Sequence, residues 1–438
     1  MDHSKEQIDL IREVFHYSHR FQGAVFVIKI DYQIIDHPLF PGLVKDLALL
    51  HQIGIKMVII PGAKARIDEV LGRYGIETDM ADGVRISTEE AIPFIKMAAF
   101  DVSNRIMTML AGQKVNAVIG NWVRARSLGV IKGRDYQQTG VVEKIDVSLV
   151  KKILDEGLIP IFPCIGWSSL GKPYNINSNE LATVVSINLS AQKLFFVTPY
   201  AGLMKADYRI PKGAYLAQDG RISRLSVEAA LEFYKLNTDH SDPLLEYVDF
   251  GCRAASRQVD RVHLVNGTID GVILKEIFSN LGMGMMIHGN IYDSIRPMKP
   301  RDISDVLRLM DPLVEKEILV RRTEEQLQDS YTDYVVYEMD DSVHGCGALV
   351  EYPENMAEIA AIAVDQSYKH LGIGQKVVEF LLSVARERGL KRIFVLTTQT
   401  ADWFQKLGFA EGTIDDIPEA KREKYDRSRN SKIFTFSL

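Results

Sequence analysis

Apolar and polar positions alternate in two ways along the first part of this chain. Short continuous apolar runs are typical of strands buried on both faces of a parallel sheet, and longer segments with a 3.6-residue repeat are typical of helices. The apolar runs lie at 24–30, 56–63, 117–120, 158–166 and 193–198. Amphipathic segments such as 38–54 separate them. This alternation predicts an α/β domain of three layers with a mostly parallel sheet, extending to about residue 290.

A different pattern begins after residue 293. The segment that follows has two prolines within four residues, Pro297 and Pro300, and then a new helical repeat. Prolines so close together break regular structure, so we predict a linker at 294–300 between domains 1–293 and 301–438. Helices are predicted at 302–310 and 322–329, and strands at 333–340, 344–353, 357–365, 391–398 and 432–438. Their order predicts an α+β domain with a mostly antiparallel sheet.

The composition suits a protein that binds small molecules. The 438 residues exceed one ordinary core, 46% of them are apolar, and the formal net charge of −6 does not favour nucleic-acid binding. Neither a signal peptide nor a run of ~20 apolar residues is evident. The three cysteines, Cys164, Cys252 and Cys346, have no metal-ligand spacing. We expect a cytoplasmic protein that binds no metal, no membrane and no nucleic acid.

The stretch YKHLGIGQ (368–375) joins an apolar strand to a long amphipathic helix. Gly372 and Gly374 lie where that helix begins, and Lys369 and His370 precede them. Backbone amides at a helix N-terminus bind phosphate groups, and glycines let the phosphates come close. Taken alone, the motif is equally consistent with a simple glycine-containing turn.

The context of this motif favours phosphate binding. The order of strand, Lys369-x-x-Gly372-x-Gly374, helix, strand and a helix ending in WFQKLGF resembles the GNAT superfamily of acetyl-CoA-dependent N-acetyltransferases. The resemblance covers the whole second domain. It implies that backbone groups of Ile362 and Val364 pair with the pantetheine of acetyl-CoA. It further implies that residues 369–374, among them Ile373, hold the pyrophosphate.

Three separated motifs narrow the resemblance. AEIAAIAV (357–364), LTTQTADWFQKLGF (396–409) and EKYDRSRNSKIF (423–434) are similar, in order and spacing, to the bacterial N-acetylglutamate synthase family. By that resemblance Glu358 is the general base. Its apolar neighbours in the strand predict a partly desolvated carboxylate, which suits this role, although a solvent-facing strand carboxylate is the alternative.

The same resemblance assigns the acid and the substrate contacts. Many GNAT enzymes donate a proton from a tyrosine at the position of Phe404, so a threonine at the preceding strand end is expected to serve: Thr397 by the resemblance, with Thr398 as a second candidate. The substrate glutamate is expected to contact Arg321, a better match than Arg322, together with Arg429, Asn430 and Ser431. Guanidinium groups bind carboxylates through two hydrogen bonds. Solvated charged residues are the alternative interpretation.

The first domain resembles the amino-acid kinase fold over about 20–290. Lys29 ends a buried strand, but Asp31 and Tyr32 stand where an active kinase has a Gly-Gly phosphate loop. Asn179 stands where an aspartate organises the catalytic lysines. Phosphoryl transfer depends on such positioning and charge, so the resemblance predicts a domain without kinase activity.

One segment of this domain predicts regulation. Residues 261–282 resemble the arginine site of arginine-sensitive acetylglutamate kinases and synthases, which implies that His263, Glu276 and Gly282 bind L-arginine. A structural histidine and a helix-capping glycine are the alternative. An amphipathic helix is predicted at 5–20, where Tyr17 would contribute to a lid and an oligomer contact. The resemblance implies a hexamer or a tetramer.

The predicted activity is acetyl transfer from acetyl-CoA to L-glutamate by direct attack, regulated by L-arginine. Three alternatives remain open from the sequence. The first is an acetylglutamate kinase or a bifunctional enzyme. The second is an acetyltransferase that acts on another amine, and the third is an arginine sensor without catalytic activity.

Overall fold

A computed structural model gives the fold of residues 21–438, apart from 82, 218, 279–281, 290–292, 340–341, 367 and 369–371. The chain divides into two compact units, Met1–Asn290 and Ile291–Leu438. The predicted helix at 5–20 lies outside the described residues. Within the described residues, no helix is both long enough and apolar enough to cross a membrane.

The first unit is built from alternating strands and helices. Its strands are β1 (Val25–Ile30), β2 (Lys56–Pro61), β3 (Met80–Ala81), β4 (Val84–Arg85), β5 (Ala117–Ile119), β6 (Val123–Ser127), β7 (Val130–Ile131), β8 (Arg134–Asp135), β9 (Thr139–Ile145), β10 (Ile159–Ile161), β11 (Ile165–Trp167), β12 (Pro173–Ile176), β13 (Lys193–Thr198), β14 (Tyr215–Leu216), β15 (Ile222–Ser226), β16 (Arg261–Asn266) and β17 (Met285–His288). Its helices are α1 (Tyr32–Ile35), α2 (Phe40–Gln52), α3 (Lys64–Arg73), α4 (Ile92–Gly112), α5 (Val147–Asp155), α6 (Ser178–Leu189), α7 (Val227–Leu236), α8 (Pro243–Ala255) and α9 (Val272–Phe278).

The main sheet of this unit has the strand order β14-β15-β17-β16-β13-β1-β2-β10-β5. Its pairs are parallel except β14–β15 and β16–β17. Helices cover both faces because alternate residues of a strand point to opposite sides: Val27 packs in one apolar core, and Phe26 and Ile28 pack in the other. The predicted three-layer α/β domain is confirmed.

Two features of the first unit differ from the sequence-based prediction. The apolar run 158–166 forms two strands rather than one, because Pro163 lacks an N–H group and the chain turns there. β10 joins the main sheet, whereas β11 belongs to a small closed barrel with β6, β9 and β12. The pattern did not predict this barrel, since β6 and β9 are short and carry exposed charged residues.

The second unit contains a single large sheet among its described residues, in the order β18-β19-β20-β21-β22-β24-β23. Its strands are β18 (Asp293–Pro297), β19 (Tyr334–Met339), β20 (Ser342–Tyr352), β21 (Met356–Val364), β22 (Arg392–Thr397), β23 (Ala410–Gly412) and β24 (Lys432–Ser437). Its helices are α10 (Ile303–Glu315), α11 (Glu324–Ser330), α12 (Ile373–Glu387), α13 (Ala401–Lys406) and α14 (Glu419–Arg422). Neighbouring strands are antiparallel except β21 and β22, which run parallel.

The segment 294–300, predicted as a linker, lies largely within this sheet. β18 pairs with β19 as its edge strand, and a short 3₁₀ helix follows at Pro300–Asp302. Arg296 fixes the turn between them, with Nη1 donating to Asp302 at 2.7 Å and Nη2 donating to Glu338 at 2.7 Å. The two prolines therefore mark a strand end and a helix start, which are both places where proline fits.

Candidate functional site

The two parallel strands of the second sheet separate beyond Glu358. Within the described residues, β21 pairs with β22 only from Met356 to Glu358, although β21 continues to Val364. Ala361 has a φ of +54°, and the register with β20 shifts next to it. Such a bulge bends a strand away from its neighbour. The result is a V-shaped opening whose edge can pair with an extended ligand.

The residues predicted to contact pantetheine lie on this separated part of β21. Ile362 and Val364 are half-buried and pack in the apolar core beneath α12. A Cβ built on Gly374 would lie 3.6 Å from Val364 and 3.4 Å from Trp403. The strand opening and the first turn of α12 are therefore adjacent.

The first turn of α12 has the geometry of a phosphate site. Gly372 caps the helix with a φ of +66°, and a Cβ added there would meet no atom within 4 Å. Ile373 is fully buried and anchors the turn. Amides at the start of a helix of 15 residues carry partial positive charge that attracts anions. Lys369 and His370, also predicted here, lie outside the described residues.

Glu358 is buried at the point where the strands separate, but its partners differ from those expected. Tyr352 Oη donates to Glu358 Oε2 at 3.2 Å, and Lys421 Nζ donates to the same oxygen at 2.7 Å. The apolar residue next in sequence, Ile359, faces the opposite side of the sheet, because side chains alternate along a strand. Glu358 is 6% exposed, which agrees with the predicted desolvation of this carboxylate, but its immediate partners are polar rather than apolar. Its role as the general base stays a prediction.

Sequence reasoning missed both partners of Glu358. Lys421 lies on α14, a helix of four residues that is too short to show a periodic pattern. Tyr352 ends β20, and burial together with the charge of Glu358 raises the pKa of its hydroxyl well above the usual value. The phenol therefore stays protonated and remains a hydrogen-bond donor. The one sequence signal for Tyr352 is its position before Pro353, at the end of an apolar strand.

Thr397 is buried at the end of β22. Its Oγ1 lies 2.7 Å from Thr400 Oγ1 and accepts a hydrogen bond from Thr400 N at 3.0 Å. Thr398 Oγ1 is buried and finds no hydrogen-bond partner in the part of the chain that the structure describes. Phe404 fills the apolar core and packs edge-on against Phe409, with 5.4 Å between ring centroids. Its position therefore provides no hydroxyl group.

Of the two arginines before α11, Arg322 is half-buried, whereas Arg321 is exposed. The positive charge of Arg322 opposes the rise that burial causes in the pKa of the Tyr352 and Tyr334 hydroxyl groups. Tyr352 donates a hydrogen bond to Glu358. The charge of Arg322 therefore acts on a partner of Glu358.

The C-terminal tail reaches the segment that precedes Arg321 and Arg322. Arg429 Nη2 donates to the backbone oxygens of Glu317 at 2.9 Å and Ile318 at 3.2 Å. Asn430 follows with a left-handed φ of +45°, and the backbone oxygen of Ser431 accepts a hydrogen bond from Tyr425 Oη at 2.6 Å. The three predicted tail residues therefore lie beside the loop that carries the two arginines.

The described residues of the second unit support neither a cysteine nucleophile nor a metal site. Burial raises the pKa of the Cys346 thiol to about 12, so it is no nucleophile at neutral pH. Within the described residues, no group of three or more His, Cys, Asp or Glu side chains could hold a metal ion.

The residues predicted to bind arginine meet in the first unit. His263 Nδ1 and Glu276 Oε1 are 2.7 Å apart, and Glu276 Oε2 accepts hydrogen bonds from the backbone N of Met283 at 2.5 Å and of Gly284 at 2.9 Å. Burial opposes ionisation of Glu276, but His263 and the two amides outweigh it and hold the pKa of this carboxyl at about 2. Gly282 has a φ of +54°, and a Cβ there would lie 3.1 Å from Glu276 Oε2. Glu276 is therefore a buried carboxylate held by His263 and two backbone amides, and Lys193 Nζ lies 3.3 Å from His263 Nε2.

In the first unit, side chains of the protein itself occupy the place where the kinase resemblance predicts a phosphate loop. Lys29 is buried and forms an ion pair with Asp31. Tyr247 Oη donates to the other oxygen of Asp31 at 2.7 Å. Where an active kinase would offer glycine amides to a phosphate, this chain thus places a carboxylate, which repels phosphate.

The two units match two protein families. Residues 24–266 match the Amino acid kinase family, and residues 301–409 match the Acetyltransferase (GNAT) family. The chain is 32% identical to an amino-acid acetyltransferase of Ralstonia nicotianae, covering 98% of this chain and 95% of the relative. It is 30% identical to an amino-acid acetyltransferase of Escherichia coli K12, covering 99% of this chain and 98% of that protein.

A solved structure is similar over nearly the whole chain. The N-acetylglutamate synthase of Neisseria gonorrhoeae, complexed with coenzyme A and L-arginine, has 29% sequence identity and a TM-score of 0.84, and the match covers 98% of this chain and 99% of that one. These similarities agree with the resemblance that the three sequence motifs predict. The chain therefore belongs to the amino-acid acetyltransferase family and consists of an amino acid kinase domain followed by a GNAT acetyltransferase domain.

Proposed function

We propose that this protein is an N-acetylglutamate synthase, which transfers the acetyl group of acetyl-CoA to the amino group of L-glutamate. The observation that carries the proposal is the opening between β21 and β22, with buried Glu358 at its apex and the glycine-flanked start of α12 at its side. An extended pantetheine chain fits an open strand edge, and a pyrophosphate fits a helix N-terminus.

The reaction needs no covalent enzyme intermediate. Glu358 takes a proton from the ammonium group of glutamate, and the amine then attacks the thioester carbonyl carbon. The carbon–sulfur bond breaks, the CoA thiolate takes a proton from a hydroxyl group, and the second proton lost by the attacking nitrogen restores that hydroxyl group. Thr397 is the proposed donor, held in place by Thr400. The products are N-acetyl-L-glutamate and CoA.

Cationic groups select the substrate. The charge of Arg322 acts on Tyr352, a partner of Glu358, and Arg429 contacts the loop before α11. Glutamate has two carboxylates, and guanidinium groups from two separate elements would fix both its orientation and its length. Asn430 and Ser431 follow Arg429 in the chain, and Arg321, which is exposed, is the second candidate for this role.

The first unit is proposed to regulate the second. L-arginine carries a guanidinium and an ammonium group, and the buried carboxylate of Glu276 with His263 and Gly282 offers the opposite charge. Inhibition by arginine is the expected sign. The ion pair of Lys29 with Asp31 supports the absence of kinase activity. We further propose a cytoplasmic homo-oligomer, a hexamer or a tetramer.

The test is CoA release from acetyl-CoA with L-glutamate, measured with and without L-arginine. Glu358→Gln is expected to lower kcat by about 10²- to 10⁴-fold while acetyl-CoA binding stays unchanged, because a general base contributes in that range. Unchanged turnover in Glu358→Gln would contradict the assignment of the base. ATP-dependent phosphorylation of N-acetylglutamate would favour a kinase, and acetylation of another amine in preference to glutamate would favour a different acceptor.

A further inference from the structure

Tyr334 carries a buried hydroxyl group without a hydrogen-bond partner among the described residues. The residue is 2% exposed, and its Oη finds neither donor nor acceptor there. A buried polar group left without a partner destabilises the folded protein. The presence of such a hydroxyl group here points to a ligand that supplies the missing partner.

The position of Tyr334 in the sheet indicates where this ligand binds. Tyr334 pairs with Ala348 of β20, which pairs with Ala360 of β21, so the three side chains form one row on one face. Glu358 is two residues from Ala360 and points to the same face. Ala348 is fully buried, and Ala360 is half-exposed although its strand is central. Tyr334 and Glu358 therefore lie on the same face of the sheet, with the half-exposed Ala360 beside Glu358.

The charges around Tyr334 define the chemistry of the partner. Burial raises the pKa of its phenol to about 12, with the charge of Glu358 adding to the rise and that of Arg322 opposing it. The phenol is protonated at neutral pH and can donate a hydrogen bond. A donor next to a guanidinium group is complementary to an anionic oxygen, such as a carboxylate.

We propose that Tyr334 Oη donates a hydrogen bond to a carboxylate of the acceptor amino acid, beside the guanidinium group of Arg322. This inference rests on the proposed acetylation of glutamate, and it adds a residue for substrate recognition that sequence motifs did not indicate. Tyr334 takes no part in proton transfer, so it affects binding of the acceptor and not the chemical step.

Tyr334→Phe tests the proposal, since it removes only the hydroxyl group. The KM for glutamate and the Kd for N-acetylglutamate, the latter from calorimetry, are expected to rise about tenfold, which corresponds to one hydrogen bond to a charged group. The values of kcat, the KM for acetyl-CoA and the Kd for CoA are expected to change less than twofold. Tyr331→Phe, a half-buried tyrosine three positions earlier, is the matched control and should leave all five values unchanged.

An unchanged KM for glutamate in Tyr334→Phe would overturn the proposal, as would a lower kcat at constant KM. An equal loss of CoA and N-acetylglutamate binding would show a structural role and also overturn it. Failure of the wild-type protein to acetylate glutamate would instead contradict the proposed function. The calorimetric comparison of N-acetylglutamate binding would still decide the role of Tyr334 in that case, because it does not depend on turnover.

Discussion

Lys421 Nζ lies 2.7 Å from Glu358 Oε2, although the two residues are 63 positions apart in the chain. The ion pair is largely buried, with side-chain exposures of 22% and 8%. A buried carboxylate needs a partner that offsets its desolvation, and the ammonium group of Lys421 is such a partner. The pair connects the short helix α14 to β21.

Replacing Lys421 should lower turnover. Lys421→Met leaves the buried carboxylate of Glu358 without its ammonium partner, and we expect kcat/KM for glutamate, measured by steady-state kinetics, to fall by at least about tenfold. Lys421→Arg keeps the charge and should keep most of the activity.

The control is Lys424→Met, an exposed lysine three positions later. It should leave kcat/KM unchanged. Equal kcat/KM values for Lys421→Met and the wild-type protein would show that the ion pair of Lys421 with Glu358 does not contribute to turnover.

Arg322 and Arg321 should differ in their effect on glutamate. Arg322→Gln is expected to raise the KM for glutamate by about 10- to 100-fold, since a charged hydrogen bond contributes ~1.5–3 kcal/mol. Arg321→Gln, which changes the exposed neighbour, should raise it less than threefold. Steady-state kinetics with varied glutamate and saturating acetyl-CoA measure both. The reverse order of the two effects would assign the substrate contact to Arg321.

Removing the buried charge of Glu276 should abolish the response to arginine. We expect Glu276→Gln to bind L-arginine at least 100-fold more weakly, because a charged partner of the effector is lost in a buried site. Acetyl transfer without arginine should remain within threefold of the wild-type rate. Calorimetry with arginine, and turnover with arginine added, measure the two quantities.

Glu232→Gln is the control for this site, since Glu232 is an exposed glutamate of the same unit. If Glu276→Gln bound arginine as tightly as the wild-type protein, the site would have to lie elsewhere. A fall of turnover in the absence of arginine, without a change in arginine affinity, would indicate a structural carboxylate.

Arg296 should stabilise the second unit. Its guanidinium group joins Asp302, which is 3% exposed, to Glu338 on β19. Arg296→Leu removes the guanidinium group that bridges the two carboxylates and leaves the exposed Arg301, 3.8 Å from Asp302, near only one of them, which we expect to lower the free energy of unfolding by about 3–5 kcal/mol. Arg301→Leu, at a side chain that is 70% exposed, should change it by less than about 0.5 kcal/mol. Urea unfolding followed by tryptophan fluorescence compares the two, and equal midpoints would show that the ion pairs of Arg296 add no net stability.

Local sequence patterns determined many of the strands and helices of this protein. The alternation of apolar runs with amphipathic segments predicted the parallel sheet of the first unit, because strands buried on both faces need continuous apolar residues. Gly372 and Gly374 before an amphipathic run predicted the helix start of α12, and the WFQKLGF motif predicted α13. Each of these features depends on residues that are close together in the chain.

Only the tertiary structure decided which groups surround Glu358. The bulge at Ala361 opens the strands, α14 brings Lys421 to the carboxylate, and Arg322 rather than Arg321 turns inward. No periodic sequence pattern indicates these features, because each depends on elements that are distant along the chain. The sequence therefore specified the elements and indicated Glu358 as the candidate base, and the packing of those elements specified the electrostatic environment of this residue, since Coulomb interactions depend on distances in space.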